Sequence, residues 1–227
     1  QMTDAEIVAQ VLLGRRELEP EQRIRNVVFM GMGEPLHNYE AVARTLVLLT
    51  HPQGLDLSKR RVTVSTSGLV RQIDRLGEDF GGQVQLAISL HAVRDADRSQ
   101  IMPVNRKHGL QQLTNALRRY PLSKRQRITI EYTLIQGVND SVQDAIEMTE
   151  LLRGIPVKIN LIPMNPISGS DLRAPQDSHV TRFQDELSRR GFSVFIRKTR
   201  GDDVAAACGQ LAFHGESRRT AGHARGA

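Results

Sequence analysis

Small and hydrogen-bonding residues collect in short motifs, each of which directly follows an apolar run of the sequence. The motifs contain Gly33 and Glu34 in GMGEP, Ser65 and Ser67 in VSTSG, Ser89 and His91 in ISLHA, Gly137 and Asn139 in IQGVND, and Asn165 in IPMNP. Glycine lets a ligand approach the backbone, a glutamate accepts from an ammonium group, and Ser, His and Asn suit a carboxylate and ribose hydroxyls. These residue types favour a zwitterionic nucleoside over a simple phosphate as the ligand.

Each motif has a simpler structural interpretation when it stands alone. Gly-x-Gly after a strand is usually only a tight turn, and this one is not a dinucleotide fingerprint, because Leu36 occupies the position of the third glycine. The histidines show no metal-ligand spacing, so a structural or surface role is the simpler interpretation of each. Only His91, in ISLHA, is kept as a candidate ligand-binding residue. Cys208 is the single cysteine, and alone it is better interpreted as a small buried apolar residue than as a nucleophile.

The segments between and before the motifs predict the elements that position them. Apolar, β-branched runs predict strands at residues 26–30, 61–65, 84–89, 127–134, 157–162 and 193–197. Helical periodicity predicts helices at residues 39–50, 69–76, 111–119, 141–152 and 180–189, after a first helix that begins with a capping box at Thr3 and Glu6. Continuously apolar strands that alternate with helices indicate an α/β fold, with a parallel sheet closed or partly closed as a barrel. The polar motifs would then meet at the carboxyl ends of the strands.

Charge and composition limit the class of protein further. The 227 residues include 31 Lys and Arg against 25 Asp and Glu, and the net charge of +6 indicates a polyanionic partner such as ribosomal or transfer RNA. One basic cluster could follow phosphates, although a solvated helix face explains it equally well; it consists of Arg106, Lys107, Arg118, Arg119, Lys124, Arg125 and Arg127. One cysteine excludes an internal disulfide, and without a signal-peptide or membrane pattern a cytoplasmic location is expected. Residues 214–227 are predicted to be a disordered basic tail after a core at 1–213.

Taken in order, the motifs resemble those of a known family. VVFMGMGEPLHNY, VTVSTSG, ISLHA, IEYTLIQGVNDS, INLIPMNP and RGDDVAAACGQL resemble the radical S-adenosylmethionine (SAM) family that methylates C2 of an adenine in 23S ribosomal RNA. Some members of that family also modify transfer RNA. The resemblance implies a partial (β/α) barrel of the radical SAM type. It also implies SAM and a [4Fe–4S] cluster as cofactors, and an electron donor for the cluster as a partner.

The resemblance assigns roles to individual residues. The implied contacts to SAM are Gly33, Glu34, Ser65, Ser89, Leu90, His91 and Asn165, with Gly33 and Glu34 at its amino group. Cys208 resembles the family's methyl-carrying cysteine. C2 of adenine is electron-poor and cannot attack the methyl group of SAM directly. In the family a cysteine thiolate therefore takes the methyl group first, and a carbon radical formed on it adds to C2.

The chain departs from the family pattern at the cluster. The family holds its cluster with three cysteines in a C-x3-C-x2-C segment just before the first helix, and this sequence contains none of them. The family's second catalytic cysteine and its glutamate base are missing as well. Because the sequence starts at Gln1 and matches the family pattern only from its middle, we expect a fragment truncated at the N-terminal end of the barrel. Such a fragment is expected to be inactive on its own.

Three alternative functions stay open from the sequence. A related family, which confers antibiotic resistance, methylates C8 of the same adenine. Pro35 after the glutamate favours the C2 family. A non-catalytic RNA-binding relative would also lack the cluster cysteines. A barrel enzyme of aldolase or isomerase type should place a lysine or a carboxylate pair at the strand ends, whereas Lys158 lies within its predicted strand.

Overall fold

The computed structural model describes residues 1–165 and 172–197, which form a six-stranded sheet and its helices. The strands are β1 (Val27–Phe29), β2 (Val62–Thr66), β3 (Gln85–Ser89), β4 (Ile128–Leu134), β5 (Val157–Pro163) and β6 (Ser193–Ile196). The α-helices are α1 (Asp4–Arg16), α2 (Tyr39–Thr50), α3 (Val70–Phe80), α4 (Asp95–Ile101), α5 (Leu110–Arg119), α6 (Val142–Leu151) and α7 (Asp177–Arg189). Within these ranges, no helix is both long and apolar enough to span a bilayer.

The order of the strands in the sheet is their order in the chain, and every neighbouring pair is parallel. Connections between adjacent parallel strands are right-handed, so a sheet that advances steadily in one direction has its helices on one face. This is the arrangement of a (β/α) barrel, left open between β1 and β6 in the described part of the chain. The predicted α/β fold is confirmed.

The face of the sheet toward the helices forms the hydrophobic core. Successive side chains of a strand point to opposite faces, and the fully buried strand residues include Val64, Ile88, Ile130, Tyr132 and Ile159. The ring of Tyr132 stacks on Phe183 of α7, with 5.6 Å between the ring centroids. The residues between these positions lie on the opposite face, which we call the inner face.

The elements follow the sequence prediction closely, with one omission. Every predicted strand is present with its ends within one residue, and Thr3 and Glu6 form the predicted capping box at α1. Two helices are three residues longer than predicted, because α3 continues to Phe80 and α7 begins at Asp177. Helix α4 was not predicted, since its buried residue is Arg98 rather than an apolar side chain that would reveal its period.

Candidate functional site

The parallel sheet brings the polar motifs to one edge. The loop after β1 contains Glu34, β2 leads into Ser67, β3 ends at Ser89, and Asn165 follows β5. Ser65 and Ser89 belong to the inner face, because Val64 and Ile88 beside them are buried in the core. The structure therefore places the predicted SAM-binding residues at the carboxyl ends of the strands. Cys208 lies outside the described residues, as does the predicted tail at 214–227.

Glu34 links the loop after β1 to the end of β2. Its Oε2 accepts hydrogen bonds from the backbone N–H and the hydroxyl of Ser67, both at 2.7 Å, and its Oε1 accepts from the N–H of Leu36 at 3.0 Å. Gly33 precedes it with φ of +88°, a left-handed conformation that favours glycine. A carboxylate offers about four lone-pair positions, so three hydrogen bonds leave room for one more donor. Glu34 is thus an acceptor held in place by Ser67 and Leu36, and it can accept from one further donor such as an ammonium group.

His91 is fixed in one tautomer at the end of β3. Its Nδ1 accepts from the N–H of Thr133 at 3.0 Å, and its carbonyl accepts from Nδ2 of Asn139 at 2.7 Å. Burial, and next the charge of Arg98, lower the pKa of His91 to about 4, so the ring is neutral at pH 7. The ring proton then sits on Nε2, which can donate to a ligand. His91 holds this place with φ of +58°, an uncommon conformation for a residue other than glycine.

Leu90 has a different role from the residues beside it. Its side chain is 1% exposed and belongs to the hydrophobic core. Its N–H donates to the carbonyl of Glu131, and its own carbonyl accepts from Arg98 and Ala92. Leu90 therefore anchors the motif, and its side chain gives no support to the predicted contact with a cofactor.

The guanidinium of Arg98 joins the ends of β2 and β3. The side chain is fully buried, and Nη2 donates to the carbonyls of Ser67 at 2.6 Å and Ser89 at 2.9 Å. Nε donates to the carbonyl of Leu90 and Nη1 to Oδ1 of Asn105, both at 2.9 Å. Burial lowers the pKa of Arg98 to about 10, which still leaves it charged at neutral pH. No motif distinguished this arginine from the others in the sequence.

A buried carboxylate lies on the inner face beside Ser89. Glu131 is paired in register with Ser89 on β3 and with Asn160 on β5. It is 7% exposed, and its Oε1 accepts from Nδ2 of Asn160 at 3.0 Å. Oε2 has no hydrogen-bond partner among the described residues. Buried polar atoms are nearly always paired, so this oxygen fits a ligand that brings a donor, such as a ribose hydroxyl.

Glu131 gives a pH-dependent prediction for folding. Burial raises its pKa above the usual range, so the folded chain binds this proton more readily than the unfolded chain, and stability falls as pH rises through that window. We expect Glu131→Gln, which removes the charge, to raise the free energy of unfolding by about 1 kcal/mol at pH 8. Near pH 4 the gain should disappear, because wild-type Glu131 is then protonated. Urea unfolding at both pH values measures the difference.

Glu150→Gln is the matched control, because Glu150 is an exposed glutamate on α6. It should leave stability nearly unchanged at either pH. If Glu131→Gln destabilised the chain at pH 8, the Glu131 carboxylate would be a satisfied structural group, and the fit to a ligand donor would be lost.

The residues do not fit an iron–sulfur cluster held by cysteines. The whole sequence contains one cysteine, Cys208. In the described ranges, no group of three or more His, Cys, Asp or Glu residues could hold a metal ion. The acceptors and donors of the site, such as Glu34 and His91, suit a nucleoside such as SAM. The sequence does not offer the cysteines that would hold the cluster.

Comparison with known proteins finds one matching family model and several similar relatives. Residues 2–149 match the Radical SAM superfamily. The dual-specificity RNA methyltransferase RlmN of Sorangium cellulosum (strain So ce56) is 63% identical over 210 residues, which cover 92% of this chain and 54% of that protein. RlmN of Rhizobium meliloti (strain 1021) is 46% identical over 234 residues, covering 96% of this chain and 56% of that protein. The chain thus spans about half the length of these curated relatives.

A solved structure resembles the chain in three dimensions. The crystal structure of a radical SAM methyltransferase from Sphaerobacter thermophilus superposes with a TM-score of 0.87 at 45% sequence identity. The match covers 92% of this chain and 61% of that one.

Proposed function

This chain belongs to the Radical SAM superfamily, and from that premise we propose that it is the SAM-binding part of an RNA methyltransferase. Its curated relatives are named as dual-specificity RNA methyltransferases, which supports RNA as the substrate. The observation that best supports SAM binding is Glu34, a fixed carboxylate at the carboxyl edge of the sheet with room for one more donor.

The residues of the site suit the separate parts of SAM. Glu34 would accept from the ammonium group. Ser89 and Oε2 of Glu131, which has no partner among the described residues, lie on neighbouring strands, where they would accept from ribose hydroxyls. The neutral His91 would donate from Nε2. Bound SAM supplies an electrophilic methyl group and, in this superfamily, the precursor of a carbon radical.

The substrate and reaction are proposed in more detail from the family motifs. We propose methylation of C2 of an adenine in 23S ribosomal RNA, and also of transfer RNA, with Cys208 taking the methyl group from SAM. Pro35 after Glu34 favours C2 over C8. Because the proposed substrate is RNA, we propose that the protein is located in the cytoplasm. These 227 residues lack cluster ligands, so we expect them to be inactive alone, and methylation requires the cluster and its electron donor.

Glu34→Gln tests the SAM site. The change keeps the size of the side chain but replaces a charge-assisted hydrogen bond to the ammonium group by a neutral one. We expect SAM to bind about 10- to 100-fold more weakly, which corresponds to roughly 1.5–3 kcal/mol. Isothermal titration calorimetry of SAM with the complete enzyme, as wild type and as variant, measures the loss.

Two further variants show whether the charge itself matters. Glu40→Gln changes an exposed glutamate on α2 that pairs with Arg75, and it should leave SAM binding unchanged. Ser67→Ala removes one hydrogen bond to Glu34 but keeps the charge, so its effect should be smaller than that of Glu34→Gln. Equal SAM affinity of wild type and Glu34→Gln would mean that Glu34 only caps the turn at Leu36.

A further inference from the structure

A basic cavity of about 550 Å³ lies at the carboxyl end of the sheet, and we call it the upper groove. Its lining residues are His37, Leu69, Val70, Arg71, Gln72, Lys107, His108, Gln112, Asn115 and Arg119. None of these described lining residues is Asp or Glu, although the chain contains 25 such residues. The groove lies at the same end of the sheet as the candidate site, because Leu69 and Val70 begin α3 just after the carboxyl end of β2.

Two cations of the upper groove have no counter-ion among the described residues. Arg119 donates to both carboxylate oxygens of Asp74, at 3.0 and 2.9 Å. Arg71 and Lys107, by contrast, form no ion pair within the part of the chain that the structure describes. Partial burial, and next the charges of Lys107 and Arg71, lower the pKa of His108 between them. A bound anion would reduce the electrostatic repulsion among these positively charged groups.

The first turn of α3 adds to the positive electrostatic potential of the upper groove. Helix α3 begins at Val70, and its N-cap residue Leu69 makes no side-chain capping bond. The first N–H groups of a helix have no partner within the helix and form the positive end of its dipole. Val70, Arg71 and Gln72, which line the upper groove, belong to this turn. Such a helix end beside Arg71 and Lys107, which pair with no described carboxylate, favours phosphate.

We propose that the upper groove binds phosphate groups of the RNA substrate, with Arg71 and Lys107 as the principal contacts. The proposal rests on the RNA methyltransferase function given above and extends it to the surface that holds the RNA. Phosphate contacts fix the position of a nucleic acid without reading its sequence. Contacts in the upper groove would hold the RNA backbone beside the edge of the sheet where Glu34 and Ser89 lie.

A second basic cavity provides a matched control. This lower groove, of about 630 Å³, contains Arg127, Arg153 and Arg190, and its described lining also has no Asp or Glu. It lies at the amino ends of the strands, since Arg127, Pro156 and Phe192 of its lining directly precede β4, β5 and β6. The two grooves are similar in size and charge but lie at opposite ends of the sheet. Only the upper groove lies at the end that holds the candidate site.

The test compares two double variants with the same change in charge. Arg71→Glu with Lys107→Glu alters the upper groove, and Arg127→Glu with Arg153→Glu alters the lower one. The probe is a fluorescein-labelled RNA hairpin with an unpaired adenine in its loop, and its affinity for the 227-residue chain is measured by fluorescence anisotropy at several salt concentrations. We expect the upper variant to bind at least about tenfold more weakly and its salt slope to fall by about 1.5–2. The affinity of the lower variant for the RNA hairpin should fall by less than about threefold.

The other outcomes overturn the proposal. Equal losses in both variants would mean diffuse attraction between a basic protein and RNA. Unchanged binding in the upper variant, or no binding by the wild type, would exclude the groove as an RNA site. SAM calorimetry on the same preparations separates this failure from a failure of the proposed function, since neither double variant changes a residue of the SAM site. Arg71→Gln with Lys107→Gln changes the charge less, so it should show a smaller loss of RNA affinity. This pair replaces the glutamate variant if the glutamates impair folding.

Discussion

Replacing Cys208 with alanine is expected to abolish RNA methylation while SAM still binds. In the proposed reaction the Cys208 thiolate attacks the methyl carbon of SAM and releases S-adenosylhomocysteine, and neither alanine nor its backbone can accept that methyl group. SAM affinity should stay the same, because the proposed contacts of SAM are Glu34, Ser89, His91 and Glu131. The assay is transfer of labelled methyl groups to RNA by the whole protein with its cluster reconstituted.

Mass spectrometry gives a second and independent readout for Cys208. During turnover, the wild-type peptide that contains Cys208 should be found with one extra methyl group. Ala207→Ser, a small change at the preceding position, should keep both activity and this methylated peptide. If the peptide is never methylated and Cys208→Ala still modifies RNA, then Cys208 is a structural residue and the proposed mechanism is wrong.

Replacing Arg98 with alanine is expected to have the largest effect on folding. The substitution would leave the carbonyls of Ser67, Ser89 and Leu90 without this donor and open a cavity under the ends of β2 and β3. We expect the free energy of unfolding to fall by about 3–5 kcal/mol, since unpaired buried acceptors and cavities are both costly. Urea unfolding measures the loss.

Two other arginine variants calibrate this result. Arg98→Lys keeps the charge but cannot reproduce the planar set of donors, so its loss should be intermediate. Arg75→Ala removes an arginine whose ion pair with Glu40 is largely exposed, and it should cost less than about 1 kcal/mol. If Arg98→Ala cost no more than Arg75→Ala, the buried hydrogen bonds of Arg98 would have no net role in holding the two strand ends together.

The sequence predicted the sheet well because each strand is a short apolar run that ends in small or polar residues. Ser65 and Ser89 could be placed at strand ends from that pattern alone. Glu131 was missed even though alternation contains the signal: Ile128, Ile130 and Tyr132 face the core, so the glutamate between them faces the other way. Its importance depends on the pairing across strands with Ser89 and Asn160, which a single sequence does not display.

Residues that meet only in three dimensions were beyond prediction. Arg98 lies on a short helix without apolar periodicity, and its acceptors come from the ends of two different strands. The basic cluster read from the sequence is divided in the structure, with Lys107 and Arg119 in the upper groove and Arg127 in the lower one. Arg71, the other main residue of the upper groove, lies far from that cluster in the chain and joins it only through packing of α3 against α5.

The order of the strands has a consequence for how the chain reaches its fold during synthesis. Each described strand after β1 is paired in the sheet with the strand made just before it, across a single connection that contains a helix. None of the six described strands has to wait for a partner encoded at the far end of the sheet, so loop-closure costs stay modest at each of these steps. The described part of the sheet can therefore grow one strand at a time as the ribosome delivers it, because each later strand adds beside the strand made just before it.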